Sequence, residues 1–253
     1  MKISIAVETC FYYTPYGKCK YTCGNITTFA RMQQHVNTAI FDMDGLLIDS
    51  EPLWDEAATT VFEQYGFKLS AEQYATTTGL RTREFVSWWL QAYQVPATEI
   101  PVAEQAIISV VTEKVQNKAM AMPGVGAILN FFVERGFKIG IASSSPQSLI
   151  DVVVAKLGIG AAIQATASAE SLPYGKPHPD VYLQCALQLG VVPTQCIAFE
   201  DSFNGMIAAK AARMKCVVVP AAHQRQEKRW AAADLQLTSL GNFGALHLHS
   251  LTT

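Results

Sequence analysis

The chain has 253 residues, half of them hydrophobic and 16% charged, with a formal net charge of -2. That is enough apolar material for one large domain or for a core with a smaller module. It offers no basic surface for nucleic acid or acidic lipid, and no run near the roughly 18 apolar residues of a membrane helix, so neither partner is expected.

The opening "MKISIAV" carries a lysine and a short apolar run that Glu8 ends too early for a signal peptide. Residues 1–31 show no clear period and are read as an N-terminal extension outside the core, with Met32 a natural start ahead of "QQHVNTAIFDMDG". Cys10, Cys19 and Cys23 fit no common zinc spacing, and Asn25-Ile26-Thr27 matches a glycosylation acceptor that matters only in a secreted chain. Cys185, Cys196 and Cys216 fall inside apolar patterns and read as small core residues. A reduced, cytoplasmic, monomeric protein is expected.

Ala39-Ile40-Phe41 reads as a buried strand running straight into Asp42 and Asp44, with Asp49 and Glu51 close behind. Residues 52–120 then read as helical. Leu53, Ala57, Thr60, Val61 and Gln64 recur at helical spacing up to Gly66, and further helices are predicted over Arg83–Tyr93 and Val102–Lys118. The pair Trp88-Trp89 is assigned to the core of this module rather than to a sugar platform.

From Pro123 the texture changes. Val125, Ile128, Leu129 and Phe132 form a helical stripe ending at Gly136, "FKIGIASSS" is a buried strand running into a turn, and Leu149–Leu157 is helical. A short strand at Ala162–Ala165, a helix at Asp180–Leu189, a strand at "CIAFED", a helix at Asn204–Ala212 and a strand at "KCVVVP" follow. Strands alternating with helices mean βαβ units. The fold class is therefore α/β, a doubly wound, Rossmann-like parallel sheet (32–51 and 121–253) with a small all-helical module (52–120) inserted after its first strand.

In such sheets ligands bind beyond the carboxyl ends of the strands. Those ends carry Asp42 with Asp44, the Ser143-Ser144-Ser145 turn, and Glu200-Asp201, with Lys176 in "YGKPHPD" a fourth contributor. Taken singly, each is commonly a turn, a cap or a surface charge; their shared placement is what points to chemistry. Carboxylates from two strand ends form an all-oxygen pocket suited to Mg²⁺. A lysine and hydroxyls beside them fit a phosphate, which the backbone amides of the Ser144 turn can also bind.

In order and spacing, "FDMDGLLIDSE", "GIASSSP", "GKPHPDVY" and "FEDSFNG" resemble the four motifs of the haloacid dehalogenase superfamily, in its class with a small helical cap, over residues 36–240. The resemblance implies a Mg²⁺-dependent phosphatase of small sugar or sugar-alcohol phosphates, such as hexitol phosphates and 2-deoxyglucose-6-phosphate, working through an aspartyl-phosphate. It implies Asp42 as nucleophile and Asp44 as general acid and base. Ser143 and the Ser144 amide would bind phosphate, with Lys176 neutralising charge. Asp201, Asp42 and the Asp44 carbonyl would hold Mg²⁺, and Glu200 would bind it directly or through water. Arg81 in "TTGLRTREF" is a substrate contact or a plain surface charge. His178 is read as a loop residue or one acting behind Lys176, and His247 with His249 is too small a set for a metal site. A phosphomutase of the β-phosphoglucomutase type shares these motifs and stays open as the alternative. Such mutases carry a His at the position matching Trp54.

Overall fold

The computed structural model describes residues 11–14, 17–20 and 35–253. The chain divides into two units, Met1–Gln34 and His35–Thr253. In the first, β1 (Phe11–Thr14) and β2 (Gly17–Lys20) pair antiparallel. The readings of Cys10, Cys23 and Asn25-Ile26-Thr27 lie outside the described residues, and of Cys19 only the backbone is described.

The second unit is built on a six-stranded sheet of order β5-β4-β3-β6-β7-β8. Its strands are β3 (Thr38–Phe41), β4 (Lys138–Ser143), β5 (Ala165–Ser168), β6 (Cys196–Glu200), β7 (Lys215–Val218) and β8 (Leu235–Gln236), and every pairing is parallel. Side chains of β3 alternate between two cores. Ala39 and Phe41 pack with α5 (Val125–Val133) and α6 (Gln147–Leu157), while Ile40 packs with α7 (Asp180–Gln188) and α8 (Phe203–Ala211). With both faces covered, the strands read as near-continuous apolar runs.

Between β3 and α5 lie α1 (Glu51–Phe62), α2 (Ala71–Thr77), α3 (Thr82–Ala92) and α4 (Ile100–Lys118). Helix α2 lies in the stretch read as helical, but between the helices assigned there by periodicity. It has only seven residues, too few to display a period, yet it opens with a capping box in which Ser70 Oγ accepts from the Gln73 amide and Gln73 Oε1 accepts from the Ser70 amide. That S-x-x-Q signature is the one local signal for it.

Two further expectations need correcting. The strand predicted at Ala162–Ala165 begins at its last residue: Ala162 and Ile163 close turn hydrogen bonds onto Ile159 and Gly160, and pairing with β4 starts at Ala165 opposite Gly140. The two tryptophans separate. Trp89 is buried, its indole donating to Thr77 Oγ1 at 3.0 Å, whereas Trp88 is 61% exposed, off the stripe of Thr82, Val86, Trp89 and Leu90.

Candidate active site

Strand register sets the site. Phe41 lies opposite both Ile141 and Phe199, so the next residues on β3 and β6, Asp42 and Glu200, emerge side by side at one sheet edge. Neighbouring strands are about 4.8 Å apart, too close for two bare buried carboxylates. Lys176, delivered by the loop between β5 and α7, resolves this. Its Nζ lies 2.6 Å from Asp42 Oδ1 and 2.6 Å from Glu200 Oε1, with all three side chains buried. Burial alone would lower the ammonium, but the two carboxylates outweigh it and hold Lys176 above its usual range. Burial pushes the Asp42 carboxyl up to about 7; Lys176 opposes that, and Glu200 and Asp44 add to it.

Glu200 is fully used. Oε1 also accepts from the Tyr182 hydroxyl at 2.6 Å, and Oε2 accepts from the Ser202 amide and hydroxyl at 3.3 and 3.1 Å. Gly205 lets α8 press against this carboxylate, since a Cβ there would collide with it.

Asp44 is gripped from both sides. Oδ1 accepts from Ser50 Oγ at 2.7 Å and from the Trp54 indole at 2.9 Å; Oδ2 accepts from Ser145 Oγ at 2.6 Å and, more weakly, from Ser143 Oγ at 3.4 Å. Ser50 stands at the N-cap of α1, yet its hydroxyl makes no capping bond because it turns to Asp44. The sequence singles out Trp54 only as the position of a mutase His and Ser145 only as part of a turn, and gives neither a hydrogen bond to this acid. Both stand beside it only once α1 and the β4 turn are folded.

These groups floor a cavity whose opposite wall is helical. Glu51 and Trp54 of α1, Tyr74 and Thr77 of α2, and Phe85 of α3 line it. Glu51 carries no hydrogen bond or ion pair among the described residues. Burial, then Asp44, Asp42, Asp55 and Asp49, push its carboxyl up to about 8. In the sequence Glu51 stands out only as one more acid near Asp44, and Tyr74 and Thr77 go unnoticed with their helix.

Of the predicted set, Asp42, Asp44, Ser143, Ser144, Lys176 and Asp201 line the cavity. Arg81 does not. Its guanidinium donates to the carbonyls of Leu172 (2.6 Å), Ala169 (3.3 Å) and Pro173 (3.5 Å) and pairs with Glu84 at 2.5 Å, tying the α2–α3 loop to the loop that leads to Lys176. Three further bonds cross the same seam: Ser144 Oγ to the Gly79 carbonyl (2.8 Å), Asn204 Nδ2 to the Thr78 carbonyl (3.0 Å) and the Gly175 amide to Glu84 Oε1 (3.4 Å). His178 is half-exposed beside Asp180 at 3.2 Å, and His247 Nδ1 accepts from the Gly244 amide.

The donor set fits a hard cation. Asp42, Glu200 and Asp201 each bring a carboxylate oxygen within 4.8 Å of the others. Asp201 has no hydrogen-bond partner among the described residues, and burial followed by Asp42, Glu51 and Glu200 pushes it well up. Gly45, at φ +73°, keeps that side open, because a Cβ would collide with the Asp201 carboxylate. One lysine does not balance three acids; a divalent cation would.

Comparison with known proteins gives the family and the fold. The family model described as haloacid dehalogenase-like hydrolase matches residues 39–219. Hexitol phosphatase B of Escherichia coli K12 is 42% identical over 218 residues, 85% of this chain and 97% of that protein. Two solved structures share the fold at a TM-score of 0.76. CbbY from Rhodobacter sphaeroides, in complex with phosphate, is 24% identical and covers 86% of this chain and 100% of its own. A β-phosphoglucomutase from Clostridium difficile is 22% identical and covers 86% and 97%.

Proposed function

The chain belongs to the haloacid dehalogenase-like hydrolase family, and on that premise we propose that it is a phosphatase of small sugar or sugar-alcohol phosphates that works through a phosphorylated Asp42. The observation that carries this reading is the arrangement of two acids two residues apart, one beside a buried ammonium and one held by hydroxyls and an indole. The name of the 42% identical relative supports the substrate class.

Lys176 occupies Asp42 Oδ1, which leaves Oδ2 to attack phosphorus. A bond forms between Oδ2 and phosphorus, the ester P–O bond breaks, and Asp44 gives its proton to the departing alkoxide. Asp44 then takes a proton from water as the water oxygen attacks the same phosphorus. The Asp42–phosphorus bond breaks and inorganic phosphate leaves. Ser143 and the Ser144 amide bind the phosphoryl oxygens. Asp42 and Asp201, with the Asp44 carbonyl, would hold Mg²⁺, and Glu200, its oxygens committed, positions Lys176 from behind. When bound, the ion neutralises charge on the transferring phosphoryl group. The helical module at 52–120 closes over the sugar and excludes bulk water.

Trp54 favours hydrolysis over the mutase alternative. An indole N–H donates and cannot accept, so it holds Asp44 without offering a proton relay tied to closure. The test is phosphate release with Mg²⁺ across a panel of hexose, hexitol and deoxyhexose phosphates, scored by kcat/KM. Conversion of β-glucose-1-phosphate to glucose-6-phosphate faster than phosphate appears would overturn hydrolysis in favour of mutation.

A further inference from the structure

Helix α7 turns Val181, Tyr182, Cys185 and Ala186 into a core made largely of alanine, valine, methionine and cysteine. A phenylalanine at 182 would fill the same space, so packing accounts for the ring of Tyr182 and not for its hydroxyl. That hydroxyl is fully buried and donates to Glu200 Oε1 at 2.6 Å, its one hydrogen bond among the described residues. The same oxygen accepts from Lys176 Nζ at 2.6 Å, and Nζ also stands over the tyrosine ring, 5.2 Å from its centre. Burial, then Glu200 and Asp42, hold the phenol well above its usual range, so it is a donor here and not a competing anion. Tyr182 does not line the cavity.

We propose that Tyr182 is a positioning residue: by pinning Glu200 Oε1 it sets where the Lys176 ammonium stands against Asp42. The inference rests on the phosphatase reading above and adds to it a side chain that works from behind the cavity. Ser202 holds Oε2 through its amide and hydroxyl, and Tyr182 holds Oε1, so the carboxylate is fixed at both ends. Without the phenol, Oε1 answers to Lys176 alone. The carboxylate and the ammonium can then shift together, which draws Nζ off Asp42 Oδ1 and spoils the aim of Oδ2 at phosphorus. Glu200 would still have Lys176 and Ser202 as donors, so no buried carboxylate is stranded and the fold should hold. The structural alternative is a buried phenol that takes the nearest acceptor. That role predicts a lower melting temperature and an unchanged kcat.

The experiment compares the full-length enzyme with Tyr182→Phe, at saturating Mg²⁺, on a hexitol monophosphate and on p-nitrophenyl phosphate. In the variant kcat should fall by about 10-fold on both substrates, with KM held within about 2-fold. A second arm makes the same substitution in a Glu200→Gln background. There it should cost no more than about 2-fold, because the hydroxyl acts through that carboxylate. An unchanged kcat in Tyr182→Phe, or the same 10-fold loss in both backgrounds, would overturn the inference and leave the phosphatase reading standing. A Tyr182→Phe protein that does not fold would overturn it too, by assigning the hydroxyl to stability. Should Glu200→Gln not fold, the first arm decides alone. Absence of phosphate release by the wild type from both substrates would instead overturn the phosphatase reading itself.

Discussion

The two walls of the cavity are made by different means. The strand-edge wall is charged and fixed by backbone register: Asp42 and Glu200 stand one strand spacing apart because Phe41 pairs with Phe199, and Lys176 bridges them at 2.6 Å each. The helical wall is aromatic and hydroxylic. Its positions depend on how α1, α2 and α3 pack, and its one acid is unpaired among the described residues. Register tolerates little change, so it suits the reacting groups. Helix packing can vary without moving the sheet, so it suits recognition of the sugar.

The sharpest break of this contrast is Asp42→Asn. It should cut turnover by at least ~10³-fold while the melting temperature stays within a few degrees, because volume is kept and a buried repulsion is relieved. Substantial activity in that protein would remove the strand-edge wall from the chemistry.

Lys176→Met should be nearly as damaging to turnover and far worse for folding. Removing this counter-charge leaves Asp42 and Glu200 buried face to face, a change that costs about 3–5 kcal/mol, roughly 10 °C for a unit of this size. Calorimetry of the two variants side by side checks it: Asp42→Asn should melt well above Lys176→Met.

Mg²⁺ should sharpen the same wall. A cation that binds the folded state alone raises stability by about 2.7 kcal/mol at one hundred times its dissociation constant. The melting temperature should rise on titration of the wild type and stay flat in Asp201→Asn. Without the ion, that variant should melt no lower than the wild type, since Asp201 has no hydrogen-bond partner among the described residues.

What is legible in the sequence divides along the two walls. A polar or acidic residue directly after a buried apolar run, on three strands of a parallel sheet, has only one edge to go to. Strand-end placement alone therefore gathers Asp42, Ser143 and Glu200 into one site. Lys176 comes with its motif. On the helical side the signals are thinner. Helix α2 is announced only by Ser70 and Gln73, and Tyr74 and Thr77 are lost with it. The stripe of Val86, Trp89 and Leu90 does mark Trp88 as off-face, but a run with so many apolar residues hides the phase. Arg81 falls in the expected loop, yet where a long side chain turns is decided by carbonyls 88 to 92 residues away in sequence.

Trp54 joins the walls, donating from α1 to Asp44. Trp54→Phe removes one hydrogen bond to a carboxylate and should lower kcat for a hexitol phosphate by about 10-fold. The loss with p-nitrophenyl phosphate should be several-fold smaller, since that leaving group departs without a proton. Equal losses on both substrates would mean that Trp54 packs and does not position the acid.

The smallest effect belongs to Arg81, and it decides what holds the walls together. As a substrate contact, its loss would raise KM steeply with little change in stability. As the structure has it, the guanidinium spans three carbonyls across the seam between the helical module and the core, with the 2.6 Å bond to Leu172 the shortest of them. Arg81→Met should then loosen closure rather than binding chemistry. A change of only about 2–5-fold in kcat and KM together is expected, with roughly 1 kcal/mol lost in stability. Arg81→Lys should recover little, because a point charge cannot serve three acceptors that a planar fork reaches at once. A KM increase of about 100-fold or more in Arg81→Met, with kcat and melting temperature intact, would return Arg81 to the substrate and show that the seam opens and turns it inward during turnover.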